Sequence, residues 1–306
     1  NRFDPYVVDD NYPGDPGFGN PDISNPSENG RLPTLAEPLN APYDAIQKAV
    51  DDATDGFTVL VLDGTYTGYK NRDVNPGGKA ITIRSRNGYN NSTILDSAGG
   101  GFTCANGETT NTVIQGFTVN TVVLELGDPG VTCSNSSPTI KECRFYDCGE
   151  AGVLCQAGAS PLIQDCRFEA NDGGLEILDS SPLIERCTVI QNTAGDGAGL
   201  YIAGISQPHV VNCVIVQNVA TNMGGGFYVG PGAWPTVNNC TVADNDASVA
   251  GGGFFNNGSL LFWNSILWDN TAPVGPGYHV LESFASGYDC LQTPHSGGNN
   301  NFVGDP

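Results

Sequence analysis

Through the middle of this chain, apolar residues fall two apart in short bursts bounded by polar ones. Cys187 and Val189 do so in SPLIERCTVIQN (181–192), Cys213 and Ile215 in QPHVVNCVIVQN (207–218), and Cys240 and Val242 in WPTVNNCTVADN (234–245). A period of two predicts β-strands. The same phrase stands upstream as SPTIKECRFYDC (137–148) and SPLIQDCRFEAN (160–171), and downstream as a worn copy, SLLFWNSILWDN (259–270). Its prolines, Pro138, Pro161, Pro182, Pro208 and Pro235, recur every 21 to 27 residues. A repeat of that size marks stacked units, each too small to bury its apolar face alone.

A second strand follows each copy after a glycine cluster: GGLEIL (173–178), GAGLYIA (197–203), GGGFYVG (224–230) and GGGFFNN (251–257). Glycine there permits positive φ and tight corners. Each unit holds about three short strands and no helix, too little chain for an antiparallel meander. Leucine-rich repeats have a similar length, but their Leu-x-x-Leu-x-Leu pattern is missing, and WD-type blades need roughly 40 residues. The expected fold is all-β: one single-domain parallel β-helix, a solenoid. Ten or so coils at roughly 4.8 Å per stacked strand make a rod about 45–50 Å long.

The front of the chain reads as a cap. Ile46, Ala49, Val50 and Ala53 in PYDAIQKAVDDA lie at helical spacing, with Pro42 suited to a first turn. We expect an extended Pro/Gly/Asp-rich segment at 1–41, a short N-terminal capping helix at 42–55, coils over 56–280 and a C-terminal capping segment at 281–306. An amphipathic helix placed before the first coil would cover its open strand edge. PYVVDD is expected as a short strand laid along this rod or along a neighbour.

The segments YVVDDNYPGDPGFGNPDISNPSENG, PYDAIQKAVDDATDGFTVLVLDGTYTGYKNRDVNPGGKAITIRSRNG and GETTNTVIQGFTV resemble the right-handed parallel β-helix repeat proteins of environmental bacteria, which are pectate-lyase-like in fold. The resemblance covers nearly the whole chain. It implies a right-handed solenoid and export, often as part of a larger surface chain. It leaves function open, because the superfamily mixes polysaccharide lyases, glycoside hydrolases, adhesins and surface proteins. The NTD, DD, GHG and RIK motifs of its galacturonan hydrolases are missing here, as are the RxPxxR and WxDH elements of its pectate lyases.

A lyase of this fold needs a base, often Lys or Arg, near a sugar α-proton, with a cation such as calcium to neutralise the uronate. Four lysines and eight arginines are available. Arg144 and Arg167 are the best pair, at equivalent outward positions on adjacent coils, with Lys141 and Glu142 beside them and Asp165 and Glu169 one coil on. The same patch also reads as a solvated ion-pair surface. Asp9, Asp10, Asp15 and Asp22 form an acidic run without EF-hand spacing; calcium is the cofactor it would take, and a solvated acidic surface is the plainer reading. His209, His279 and His295 form no metal-ligand pattern.

A net charge of −21 argues against nucleic acid and against unassisted capture of polyanionic glycans. No apolar stretch approaches a membrane span. The ten cysteines suggest a disulfide framework until the repeat is laid out. Cys143, Cys166, Cys187, Cys213 and Cys240 then share one inward position. Cys104, Cys133 and Cys155 share another, continued by Ile177, Ile202 and Val229. Stacked Cβ atoms about 4.8 Å apart exceed the roughly 3.8 Å that a disulfide prefers, so most should be thiols in the core. Asn171, Asn192, Asn218, Asn245 and Asn270 form a row that Cys148 begins, expected to bond along the stack at a turn.

On the outer face, the position of Tyr201 is occupied on other coils by Leu154, Glu176, Tyr228, Phe255 and His279. Four consecutive coils thus present Tyr201, Tyr228, Phe255 and His279 as a ring row, and Trp263, Ile266 and Trp268 add apolar surface on the other strand. Such surface marks an interface or a ligand groove, unless the segment after 271, with Tyr278, Phe284 and Tyr288, folds back over it. Two functions fit. One is a non-catalytic extracellular or cell-surface scaffold, assembling with its own copies or with other surface proteins. The other is a carbohydrate-active protein, either a lyase-like enzyme or a glycan binder.

Overall fold

The computed structural model describes residues 6–8, 45–95, 99–121 and 128–291, together with the backbone of Phe302–Val303. Three long sheets, parallel throughout, run along the chain. The first has eleven strands, from Tyr6–Val8 and Thr58–Val61 to Ser283–Gly287. The second also has eleven, from Gly64–Tyr66 to Phe302–Val303, and the third has eight, from Phe102–Cys104 to Tyr278–Val280. Each coil visits them in turn; Thr139–Lys141, Arg144–Tyr146 and Val153–Gln156 form one such circuit. This is a parallel β-helix. A fourth, three-stranded sheet at Thr193–Ala194, Val219–Ala220 and Asp246–Ala247 covers a small column of Ala198, Ala220 and Ala247.

Register is one residue to one residue from coil to coil, so like side chains stack. The line Cys143, Cys166, Cys187, Cys213 and Cys240 is buried at 0–2% exposure. Cys104, Cys133 and Cys155 pair in sequence in the third sheet, followed by Ile177, Ile202 and Val229. Nine of the ten cysteines are buried thiols. Burial pushes the Cys148 thiol up to about 11 and that of Cys166 well up, so at neutral pH these act as small apolar groups.

Two corners per coil are turned by residues in the left-handed region. Glu142, Asp165, Arg186, Asn212, Asn239, Asn264 and Tyr288 (φ 52–59°) stand between the first and second sheets. Asp147, Ala170, Gln191, Gln217, Asp244 and Asp269 (φ 51–57°) stand after the second. Each costs roughly 1–2 kcal/mol relative to right-handed backbone. In return the next residue turns inward, and along the asparagine row and from Cys187 onward its N–H meets an acceptor one coil on. Asn218 Oδ1 accepts from Asn192 N–H (3.0 Å) and Asn192 Nδ2 (2.9 Å). Its own Nδ2 donates to the Val189 carbonyl (3.1 Å) and to Asn245 Oδ1 (2.9 Å). At the other corner Cys187 N–H donates to Cys213 Sγ, and Cys213 N–H to Cys240 Sγ, both at 3.4 Å. Cys240 N–H then donates to Ser265 Oγ (3.0 Å) and Ser265 N–H to Asp289 Oδ1 (2.9 Å).

The helix spans Ile46–Asp52, a shorter stretch than 42–55. Ala45 caps it without a side-chain bond, so packing of Ile46, Ala49 and Val50 holds it rather than propensity. Pro42 lies outside the described residues. Tyr6–Val8 pairs in parallel with Val59–Val61 and takes the edge of the first sheet, so PYVVDD does place a strand along its own rod. At the other end coils continue past 280. Ser283–Gly287 pairs with Ser259–Trp263, and Cys290–Leu291 with Ile266–Leu267. Tyr278 and Phe284 therefore do not fold back over the outer face; Tyr278 stacks on Phe254 and Phe284 meets it edge-on, both at 5.3 Å. Tyr288 occupies a corner and is 63% exposed.

Replacing Asn218 by Ala strands the Asn192 N–H inside the rod and takes one donor away from the Val189 carbonyl. At about 1–3 kcal/mol for an orphaned group, denaturant unfolding should show a loss of about 2–4 kcal/mol. A loss under about 1 kcal/mol would show that the ladder is not a principal support. Asp289 supplies a second test. Burial raises its carboxyl to about 6, so the folded chain holds a proton that the unfolded chain releases near pH 4. Stability from this group is therefore present at low pH and lost as pH rises through about 6. Asp289→Asn should raise stability at pH 7 by on the order of 1 kcal/mol, allowing for solvent screening, and flatten the pH 4–7 profile of Tm. An unchanged profile would refute this assignment.

Candidate functional site

The second sheet sets Arg144 directly beside Arg167. Both guanidinium groups reach one carboxylate: Arg144 Nη2 and Arg167 Nε each lie 2.8 Å from Glu169 Oε2. Arg144 also lies 4.3 Å over the Tyr146 ring. The Glu169 hydrogen bond raises the Arg167 pKa, and the Arg167 hydrogen bond lowers that of Glu169. A lyase base must give up its proton; Arg167 is held charged, and Arg144 is engaged by the same carboxylate. Lys141 does not join it, since it ends a first-sheet strand across the corner at Glu142 and Cys143. Asp165 instead accepts two hydrogen bonds from the Arg186 guanidinium, at 2.8 and 2.9 Å.

The third sheet brings the ring row together as aligned. Tyr201 and Tyr228 have centroids 5.2 Å apart and planes within 6°, Tyr228 and Phe255 5.5 Å and 2°, and Phe255 and His279 5.3 Å and 26°. The rings stack on one another, so the faces that would receive a sugar are occupied by neighbours. Phe255 is only 5% exposed. At the lower end of the row lies a hollow of 290 Å³ lined by Asp172, Glu176, Asp196 and Tyr201, among others. Burial raises the Glu176 carboxyl; burial and then Glu176 raise that of Glu150. The Tyr201 phenol is raised by burial, Asp196 and Glu176. It therefore holds its proton at neutral pH and supplies no phenolate.

The tryptophans divide differently from the alignment. Trp263 closes a first-sheet strand, while Ile266 and Trp268 belong to the second sheet, because the corner at Asn264 and Ser265 falls between them. Both indoles are half-buried. The exposed tryptophan is Trp234, at 60%. It borders a groove of 610 Å³ lined by Ile205, Gln207, Asn257, Ser259 and Glu282, among others. On its other flank a hollow of 460 Å³ opens toward Leu260, Leu261 and Ser283. Ile205 (76%) in the groove and Leu261 (45%) in the hollow are exposed as well. The signal in the sequence was one aromatic residue inside the Gly/Pro loop GPGAWP, where no neighbouring coil repeats it.

Asp9, Asp10, Asp15 and Asp22 lie outside the described residues. Among the described ones no group of three or more His, Cys, Asp or Glu is placed to hold a metal ion. His209 Nδ1 shares a 2.7 Å hydrogen bond with Thr236 on the surface, and His279 closes the ring row. No described helix is long and apolar enough to cross a membrane.

Coils, ladders and three parallel sheets define a parallel β-helix protein. The model of the right handed beta helix region family matches residues 79–221 and 178–271, more than half of the chain, and the chain belongs to that family. No curated protein matches it in sequence. Among solved structures it is similar to an alginate lyase from Paenibacillus sp. str. FPU-7, at 15% identity and TM-score 0.51, over 84% of this chain and 95% of that one. It is also similar to pectate lyase Pel9A, at 13% identity and TM-score 0.50, over 96% and 70%. The ORF18 protein of Geobacillus virus E2 gives 14% identity and TM-score 0.47, over 79% of this chain. The chain spans 58% of that protein's length. At these identities the likeness is one of fold.

Because both faces of Tyr228 are covered, the row should contribute to stability. Tyr228→Ser is expected to lower it by about 2 kcal/mol, from lost aromatic area and stacking. Thermal unfolding checks this; a Tm equal to the parent's would show that the stack contributes nothing to the fold.

Proposed function

We propose that the chain is a non-catalytic extracellular or cell-surface β-helix scaffold that adheres to a partner through its rod surface. The carrying observation is the Arg144–Glu169–Arg167 cluster. The best basic candidates for eliminating a uronic acid are locked in ion pairs with one carboxylate, Arg167 is kept protonated, and the phenols of the ring row hold their protons too. Adhesion draws support from the exposed Ile205, Trp234 and Leu261, which line two hollows that share Trp234. Its partners are carbohydrate, other surface proteins or further copies of the chain.

A second reading, a polysaccharide lyase-like enzyme, is favoured by one feature. Glu176, its carboxyl raised by burial, lines the hollow beside Tyr201 and helps raise that of Glu150, and raised carboxyls are what acid–base catalysis uses. Two of its fold neighbours are lyases, which agrees with it. Incubation with polygalacturonate and with alginate, each with and without calcium, separates the readings through the ultraviolet absorbance of unsaturated products. We expect no rise above the buffer rate. A sustained rise that Glu176→Gln abolishes would replace the scaffold reading with the enzymatic one.

A further inference from the structure

We infer that the groove beside Trp234 is a binding subsite for a linear, uncharged oligosaccharide, an assignment that rests on the adhesive reading above and gives it a ligand class. The groove is built by the turns that follow the third-sheet strands Leu200–Ala203, Phe227–Val229, Phe254–Asn256 and Tyr278–Val280. Ile205, Trp234, Asn257 and Glu282 come from these four successive turns. At roughly 4.8 Å per coil the groove runs about 15 Å along the rod, suiting a chain rather than a compact molecule. Its 610 Å³ falls within the roughly 300–1,000 Å³ of ligand sites. Trp234 and Ser259 also border the 460 Å³ hollow, so an occupant can pass from one to the other across the indole.

The chemistry of the walls selects the occupant. A pyranose has an apolar C–H face and an edge of hydroxyls. Trp234 offers a flat apolar surface that the ring row, stacked on itself, does not. Gln207, Asn257 and Ser259 carry amide and hydroxyl groups that both donate to and accept from hydroxyls. A purely apolar ligand would leave those groups dry at a cost. The residues lining the groove include one carboxylate, Glu282, and no lysine or arginine. A polyuronate would bring a carboxylate on every residue into a site with no cation to receive it.

The backbone that carries the indole is held in advance. The Trp234 main-chain N–H donates to the Ser206 carbonyl (2.7 Å) and the Ala233 N–H to that of Gly230 (3.2 Å). Ala233 is fully buried, and a side chain at Gly258 would run into the carbonyls of Gly230 and Ala233. The loop is packed rigidly against the next coil, so binding need not order it.

Affinity electrophoresis of the whole chain through gels containing xylan, galactan, mixed-linkage β-glucan, polygalacturonate or alginate, without divalent cations, tests this. At least one of the three uncharged polymers should retard the parent, and neither uronate should. Trp234→Ala should weaken that retardation about tenfold, the effect of losing one aromatic anchor, with an unchanged Tm. Trp234→Phe should keep most of it. Retardation by uronates alone, retardation unaffected by Trp234→Ala, or none by any polymer would overturn the assignment. The last outcome would point the groove to a protein partner and leave the scaffold reading to the lyase assay.

Discussion

Where a β-helix turns a corner, the backbone N–H that the turn takes out of the strand ladder needs another acceptor. Strands satisfy their own backbone along the rod, but the residue that bends the chain inward carries its N–H out of that pattern. Here two side-chain columns supply the acceptor. The asparagine column gives and receives at each level, so each amide holds the backbone of two coils. The sulfur column does the same more weakly with longer contacts, ending in an oxygen pair at Ser265 and Asp289. Because a column works only between identical levels, it also fixes register. A slip of one residue would put Cys187 outside and Arg186 inside.

The same stacking rule decides which parts of the surface are available for chemistry. Wherever strands stack in register, equivalent side chains meet their own kind one coil away. That produces the Tyr201–His279 stack, whose rings spend their faces on each other, and the Arg144–Arg167 pair, whose charges need Glu169 between them. Side chains escape this only where the repeat lengthens into turns that differ from coil to coil. Trp234 sits in such a turn, which is why its indole has no aromatic neighbour among the described residues and stands exposed.

What the sequence revealed follows from this division. Residues that must be alike at each level were legible: the cysteine line, the asparagine row with Cys148 at its start, and the outward position of Tyr201. Positions defined by backbone shape alone were not. Glu142, Arg186, Asn212 and Tyr288 share a left-handed conformation and no chemistry, so no pattern in residue type marks the corner. Missing that corner joined Trp263 to Ile266 and Trp268 on one strand, and joined Lys141 to Arg144. The last coils escaped notice because the corner residue there is Asp289 rather than cysteine. Trp234 is not legible in the repeat because a residue that occurs once gives no period to detect.

Net charge and local charge give different answers about a partner. The chain carries −21 overall, which suggests repulsion of every polyanion. At physiological ionic strength, however, exposed charges are screened beyond about 8 Å, a distance shorter than two coils of the stack. A polymer lying in the groove therefore feels chiefly Glu282 and whatever stands within a coil or two of it. Selectivity against uronates then rests on that carboxylate and on the absence of bases among the lining residues, not on the acidity of the rod as a whole. Near the second sheet the balance differs, since Arg144, Arg167 and Arg186 cluster there, yet their carboxylate partners Glu169 and Asp165 already occupy them. The rod thus presents an anion with no open cation at either place, while the Trp234 groove presents an uncharged chain with both an apolar face and hydrogen-bonding groups.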